Sequence, residues 1–208
     1  MSGTFITFEG GEGSGKSTQI ALLRAHLESQ GYAVEVLREP GGTAIAEAIR
    51  TVLLDPANTT MSPVTELLLY EAARAQLVDE RIRPALDAGK IVLCDRFADS
   101  TTAYQGAGRA LAVETVLALH DVATRGVWPQ LTIVLDLPVE EGMKRVANGG
   151  APDRLEAESL DFHERVRQCF LRLAEQDPER VRIVDGTKAI KVVAGQIVAL
   201  VEAVLEAL

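Results

Sequence analysis

The octapeptide Gly10-Gly11-Glu12-Gly13-Ser14-Gly15-Lys16-Ser17 constrains this 208-residue chain more than any other feature. It matches G-x-x-x-x-G-K-[ST]. The apolar, β-prone run Phe5-Ile6-Thr7-Phe8 precedes it, and Ile20, Leu22, Leu23 and Leu27 follow it at helical spacing. Strand, glycine loop and helix in that order let successive backbone N–H groups wrap an anion, with the positive end of the helix dipole behind them. In such a cradle Gly10, Gly11, Glu12, Gly13, Ser14, Gly15, Lys16, Ser17 and the adjoining Thr18 are expected to surround the phosphates of a bound nucleotide. Lys16 reaches the β- and γ-phosphates, and the Ser17 hydroxyl ligates Mg²⁺.

The rest of the chain alternates short apolar runs with long helical patterns. Strands are expected at Thr4–Glu9, Ala33–Leu37, Ile91–Cys94, Leu131–Leu135 and Val181–Val184. Helices are expected at Lys16–Gln30, Thr43–Leu53, Pro63–Ala88, Ala112–Thr124, Val139–Ala147, Ser159–Glu175 and Ala189–Leu205. This order predicts an α/β fold: a three-layer P-loop architecture with a central parallel five-stranded sheet flanked by helices. Ligands of such sheets gather at the carboxyl ends of the strands. No repeat or low-complexity linker divides residues 1–208, so a single domain is expected.

A hydrophobic content of 47% is enough to bury a sizeable core, and only 4% of residues are aromatic, which leaves that core to Leu, Val, Ile and Ala. A net charge of −9 argues against nucleic acid as a partner, since displacing counterions needs a basic face. An anionic small substrate would instead need arginines concentrated in one cleft. Cys94 and Cys169 do not make a disulfide framework. The apolar C-terminal run is interrupted by Lys191, Gln196, Glu202 and Glu206, and Ile190, Val193, Ile197, Val201 and Leu205 recur at helical spacing. It reads as a docked amphipathic helix, with no membrane span. With the phosphate loop reached within ten residues of Met1, no leader is expected, and the cytoplasm is the expected compartment.

Polar clusters follow the strands. Asp95-Arg96 ends Ile91-Val92-Leu93-Cys94, where an acid can hold Mg²⁺ or its waters and an arginine can bridge phosphates. A structural ion pair would look the same. Arg38-Glu39-Pro40-Gly41-Gly42-Thr43 turns after the second strand and leads to Arg50, which suits a second phosphate group or plain solvent. Tyr70 and Arg74 share one helix face, a ring and a guanidinium able to stack on and hydrogen-bond a planar base, although the spacing is common on ordinary helices. The loop Asn148-Gly149-Gly150-Ala151-Pro152 lies between Lys144-Arg145 and Asp153-Arg154, and residues 144–156 read as a lid.

Together these segments resemble thymidylate kinase in its bacterial form, over essentially the whole chain. The resemblance rests on Phe8-Glu9-Gly10 with the phosphate loop, Arg38 to Thr43, Tyr70 to Gln76 and Asp95-Arg96-Phe97. It continues through Ala103-Tyr104-Gln105-Gly106 with Gly108-Arg109 and Asp153-Arg154-Leu155-Glu156. It implies transfer of the ATP γ-phosphoryl group to dTMP by a homodimer. Glu12 then faces the deoxyribose 3′-hydroxyl, Arg50 and Arg96 hold the dTMP phosphate, and Tyr70 stacks on thymine. Arg74 bonds the thymine carbonyl, Thr101 and Gln105 line the base edge, and Tyr104 crowds out a ribose 2′-hydroxyl. Glu39 belongs to the same acceptor site, and Asp95 with Ser17 to the metal. An acceptor such as dUMP, or a nucleotide-binding regulator with little turnover, fits the same residues.

The chain departs from its relatives at the lid, whose interior in bacterial forms carries arginines that reach the transferring phosphate. Here Ala147 and Gly149 stand in that segment, and Gly13 leaves the phosphate loop without the arginine of the other form. The resemblance therefore leaves Lys16, Arg96, Arg154 and Arg145 as the charged groups for the transition state, with Arg154 favoured because it follows Asp153 at the end of the loop.

Overall fold

The computed structural model describes residues 3–147 and 153–207. β1 (Thr4–Glu9) is buried along its whole length, because it lies in the middle of a five-stranded sheet of order β2-β3-β1-β4-β5. The other strands are β2 (Val34–Arg38), β3 (Ile91–Asp95), β4 (Leu131–Asp136) and β5 (Val181–Asp185), and every pairing is parallel. A strand covered on both faces reads as a continuous apolar run, as Phe5-Ile6-Thr7-Phe8 does.

One face of the sheet is covered by α1 (Lys16–Ser29) and α9 (Ile190–Glu206). Ile20, Leu23, Leu27, Val193, Ile197 and Val201 pack there against Ile6, Phe8, Leu93, Ile133 and Leu135. The C-terminal amphipathic helix is thus docked as its periodicity predicts. The opposite face takes two clusters. Leu77, Val78 and Ile82 cover Phe5, Val92 and Cys94, while Phe162, Val166 and Phe170 from α8 (Leu160–Gln176) cover Val134 and Val181. Cys94 and Cys169 are buried free thiols. The remaining helices are α2 (Ala44–Leu54), α3 (Pro63–Leu77), α4 (Arg83–Asp87), α5 (Ala98–Thr101), α6 (Val113–Thr124) and α7 (Val139–Val146). Among the described residues no helix is long and apolar enough to cross a membrane.

Strand boundaries agree with the sequence pattern to within one residue. The single helix expected over Pro63–Ala88 is instead interrupted. α3 passes through a π-helical turn, Val78–Ile82, before α4. Pro84 explains this, since its nitrogen has no hydrogen to donate and its ring crowds the carbonyl four residues earlier. The segment Ala98–Gly108 was not foreseen as an element. It forms α5 and a second π-helical stretch, Thr102–Gly108, with nearly every residue buried. Being buried all round, it has no polar stripe to reveal a period, and Gly106 and Gly108 lower its helical signal.

Ionisable residues finish the strands. In the sheet register Arg38 and Phe8 each lie opposite Asp95, and Asp136 lies opposite Asp185. The charged side chains therefore collect along one edge, and the candidate site lies there.

Candidate active site

The loop between β1 and α1 carries the glycine motif, and its backbone explains the residue choice. Gly13 has φ +67°, and a Cβ there would lie 2.4 Å from the carbonyl oxygen of Gly142 in α7. A Cβ on Gly142 would in turn lie 2.2 Å from the carbonyl oxygen of Glu12. Two glycines thus let the loop and α7 touch backbone to backbone, which is why no arginine fits at position 13. Gly15, with φ +95°, starts α1.

Lys16 Nζ lies across the loop, 3.2 Å from the carbonyl oxygens of both Gly10 and Gly11. Burial, and then the nearby Arg96, lowers its pKa from the usual lysine value. Ser17 Oγ donates to Asp95 Oδ2 at 3.2 Å, so β3 and α1 bring these two oxygen donors together.

Arg96 occupies the turn after β3 with φ +71°, an unfavourable conformation for a side-chain-bearing residue that costs about 1–3 kcal/mol. Its surroundings hold it there. The backbone N–H donates to Phe8 O at 2.9 Å, Nη1 to Gly10 O at 3.1 Å and Ser100 Oγ at 3.2 Å, and Nη2 to Glu12 Oε1 at 2.6 Å. Tyr104 OH donates to the same Glu12 oxygen at 2.8 Å, and the guanidinium lies 4.9 Å from the Tyr104 ring centroid. Burial alone would raise the Glu12 carboxyl, but Arg96, Lys16 and the Tyr104 hydroxyl outweigh it and bring its pKa down to about 2. Beneath this cluster Glu9 accepts from Phe97 N at 2.8 Å and Ser100 Oγ at 2.5 Å. Burial, reinforced by Asp99, pushes Glu9 up to about 8 against the pull of Arg96.

A cleft of about 520 Å³ opens from the phosphate loop toward α3. Glu12 to Thr18 line it, as do Glu39, Arg50, Tyr70, Arg74, Asp95, Arg96, Thr101, Tyr104 and Gln105. Apart from Gly10 and Gly11, the expected phosphate, metal and acceptor residues therefore share one cavity. Arg50 Nη1 donates to Pro40 O at 2.9 Å, which turns the guanidinium along the cleft wall. Arg74 is 1% exposed and lies in the cleft wall within a buried network of side chains. It donates to Glu39 Oε2 from Nε at 2.9 Å and Nη2 at 2.7 Å, to Glu71 Oε1 from Nη1 at 2.7 Å, and to Thr101 Oγ1 at 3.0 Å. Burial raises the Glu39 carboxyl to about 7, with Arg74 opposing.

The two arginines at positions 145 and 154 separate. Arg145 projects from α7 onto the loop, with Nη1 3.2 Å from Gly13 O. Arg154 turns away. Its Nε donates to Leu53 O at 2.8 Å and its Nη1 to Glu66 Oε2, and it does not line the cleft. The nearby carboxylates Glu156 and Glu158 are engaged elsewhere, by Asp153 N and Arg109 respectively. Arg154 is thus held, in this conformation, by an ion pair with Glu66 of α3 and by the carbonyl of Leu53 at the end of α2. Residues 148–152, the glycine-containing centre of the expected lid, lie outside the described residues.

Glu66 was not singled out from the sequence. It is 1% exposed and gathers Gln105 Nε2 at 2.7 Å, Arg109 Nε at 3.1 Å and Arg154. Its signal was present: Glu66, Tyr70 and Arg74 are spaced by four and share the α3 face toward the cleft.

A phosphate loop at the end of β1, an acid at the end of β3, and a second anion pocket lined by arginines and an aromatic ring define a P-loop phosphotransferase acting on a nucleotide acceptor. The family model for thymidylate kinase matches residues 8–197. The thymidylate kinase of Geotalea uraniireducens is 53% identical over 205 residues, covering 96% of both chains, and that of Alcanivorax borkumensis is 51% identical over 202 residues, covering 97% of both. The crystal structure of thymidylate kinase from Ehrlichia chaffeensis superposes with a TM-score of 0.78 at 31% identity, covering 97% of this chain and 99% of that one. The chain belongs to the thymidylate kinase family.

Proposed function

We infer that the chain transfers the γ-phosphoryl group of ATP to dTMP, giving ADP and dTDP. The observation that carries this reading is the single cleft joining the phosphate loop to the pocket of Arg50, Tyr70, Arg74, Thr101 and Gln105. The donor phosphates lie along Gly10 to Thr18. Arg96 and Arg50 supply two positive charges for the dTMP phosphate, Tyr70 offers its ring to thymine and Arg74 an N–H to the carbonyl. Glu12, kept ionised by Arg96, accepts from the 3′-hydroxyl, and Tyr104 closes the space beside it. A hydroxyl beside one carboxylate suits Mg²⁺, which retains several waters and is shared with substrate phosphates, so Ser17 and Asp95 are its proposed holders. When bound, that ion neutralises charge on the donor phosphates. The protein contributes in-line positioning and fixed positive charge from Lys16, Arg96 and Arg145, and the phosphoryl group passes directly from ATP to dTMP without bonding to the protein.

A homodimer is proposed from an apolar face. α2, α3 and α6 are neighbours and leave Ile45, Val52, Val64, Leu68, Val113 and Leu117 exposed. An apolar stripe on three adjacent helices is the signature of a covered face. The cytoplasm is the proposed compartment. The deciding experiment mixes ATP and Mg²⁺ with dTMP, dUMP or another monophosphate and follows ADP. Faster turnover of a different acceptor would overturn dTMP as substrate, and tight dTMP binding without ADP formation would indicate a regulator.

A further inference from the structure

The Arg74 guanidinium is bonded to a buried chain of side chains that reaches α6. Glu71, one turn before Arg74, accepts from its Nη1 at 2.7 Å through Oε1. The same oxygen meets His120 Nδ1 at 2.9 Å, and His120 Nε2 meets Thr102 Oγ1 at 3.0 Å. A carboxylate only accepts, so Nδ1 is the donor to it. Side-chain exposures of Arg74, Glu71 and His120 are 1%, 6% and 1%. Nε and Nη2 are committed to Glu39 and Thr101, and Glu71 is the third anchor of the planar fork, the one on Nη1, whose remaining N–H has no partner among these side chains.

We propose that Glu71 and His120 are positioning residues for acceptor specificity: they hold the Arg74 fork in the one orientation that offers an N–H to the carbonyl at C4 of the base. Neither touches the cleft. The proposal rests on the reading that Arg74 addresses the acceptor base. Thymine carries an acceptor at C4 where cytosine carries a donor, so a fixed donor discriminates between them and a swivelling one discriminates less.

The test uses the full chain with steady-state KM for dTMP and for ATP, and the ratio of kcat/KM for dTMP over dCMP. These quantities do not depend on the fraction of folded protein. Glu71→Gln and His120→Leu are expected to raise the dTMP KM about three- to tenfold, the cost of restoring order to one long side chain, while the ATP KM stays at its starting value. The dTMP-over-dCMP ratio falls with them. His120→Asn, whose amide can occupy the Nδ1 position, recovers most of the loss. A lowered melting temperature with unchanged dTMP KM and unchanged selectivity in Glu71→Gln and His120→Leu would overturn the proposal, as would His120→Asn behaving like His120→Leu. Arg74→Lys separates the two readings, since it keeps a charge between Glu39 and Glu71 and loses the fork. If it retains full dTMP selectivity, the base-reading role of Arg74 itself fails. If it loses selectivity while Glu71→Gln and His120→Leu keep it, the positioning role alone fails.

Discussion

Arg145 Nη1 lies 3.2 Å from the carbonyl oxygen of Gly13, so α7 delivers a guanidinium onto the phosphate loop. Gly13 and Gly142 make this approach feasible, because any Cβ at either position would collide with the backbone of the other element. The arginine absent from the loop is thus replaced in space by one from the helix that touches it. Arg145→Ala is expected to lower kcat at least ~100-fold, the scale for losing one preorganised transition-state donor, with little change in dTMP affinity. Arg145→Lys should restore part of the rate, since lysine keeps the charge but not the two-pronged geometry. Single-turnover kinetics with dTMP titration checks both numbers, and an unchanged kcat would remove Arg145 from the mechanism.

Arg154 is expected to behave in the opposite way. Its contacts are Glu66 and the carbonyl of Leu53 at the end of α2, and Glu66 retains Gln105 and Arg109 when Arg154 is removed. Arg154→Ala should therefore cost about 1.5–3 kcal/mol of stability, the range for a charge-assisted hydrogen bond, while the folded fraction keeps its kcat. Urea unfolding alongside initial rates separates the effects. A large fall in kcat at unchanged stability would return the catalytic role to Arg154.

The separation of Arg145 from Arg154 marks the limit of what the sequence discloses. Strand, glycine loop and helix were legible because each has a local cause: alternation of buried elements, positive φ at glycine, and apolar spacing. Cleft residues such as Arg96 and Tyr70 were legible through the order of their motifs. The orientation of Arg154 was not, because it is decided by Glu66, 88 positions away in the chain and buried beneath the cleft. The interrupted helix at Val78–Ile82 was closer to legible, given Pro84. Ala98–Gly108 was hidden because an element buried on all sides shows no period.

Glu12 sets an acid limit on the site. Arg96, Lys16 and Tyr104 lower its pKa from 4.5 to about 2 against burial. A carboxyl with a depressed folded-state pKa contributes stability that is complete above its unfolded value and is lost as pH falls through the folded one. The window is therefore about 4.5 down to about 2, and the contribution at neutral pH is ~3 kcal/mol. Glu12→Gln should be less stable than the parent at neutral pH and should converge with it toward the acid end of that window. Parallel unfolding curves at every pH would show that the Arg96 pair adds nothing.

Lys16 gives the most direct test of the phosphate cradle. Its ammonium bonds two neutral carbonyls, Gly10 O and Gly11 O, and burial with Arg96 nearby lowers its pKa, so the charge is held at a cost to the fold. The shape of the loop comes from elsewhere: Gly13 against Gly142, Gly15 at the head of α1, and Arg96 bonded to Gly10 O. Removing the ammonium should therefore leave the cradle intact and spare stability, while depriving the transferring phosphoryl group of a fixed positive charge in a largely buried setting. Lys16→Ala is expected to lower turnover at least ~100-fold, by the same scale as other preorganised donors. Lys16→Met, which keeps the apolar stem, should lose as much and melt no lower than the parent. Substantial turnover in a Lys16→Met variant with an undisturbed melting curve would mean that the phosphates are held by backbone and arginines alone, and that the lysine of the motif is not the group that meets them.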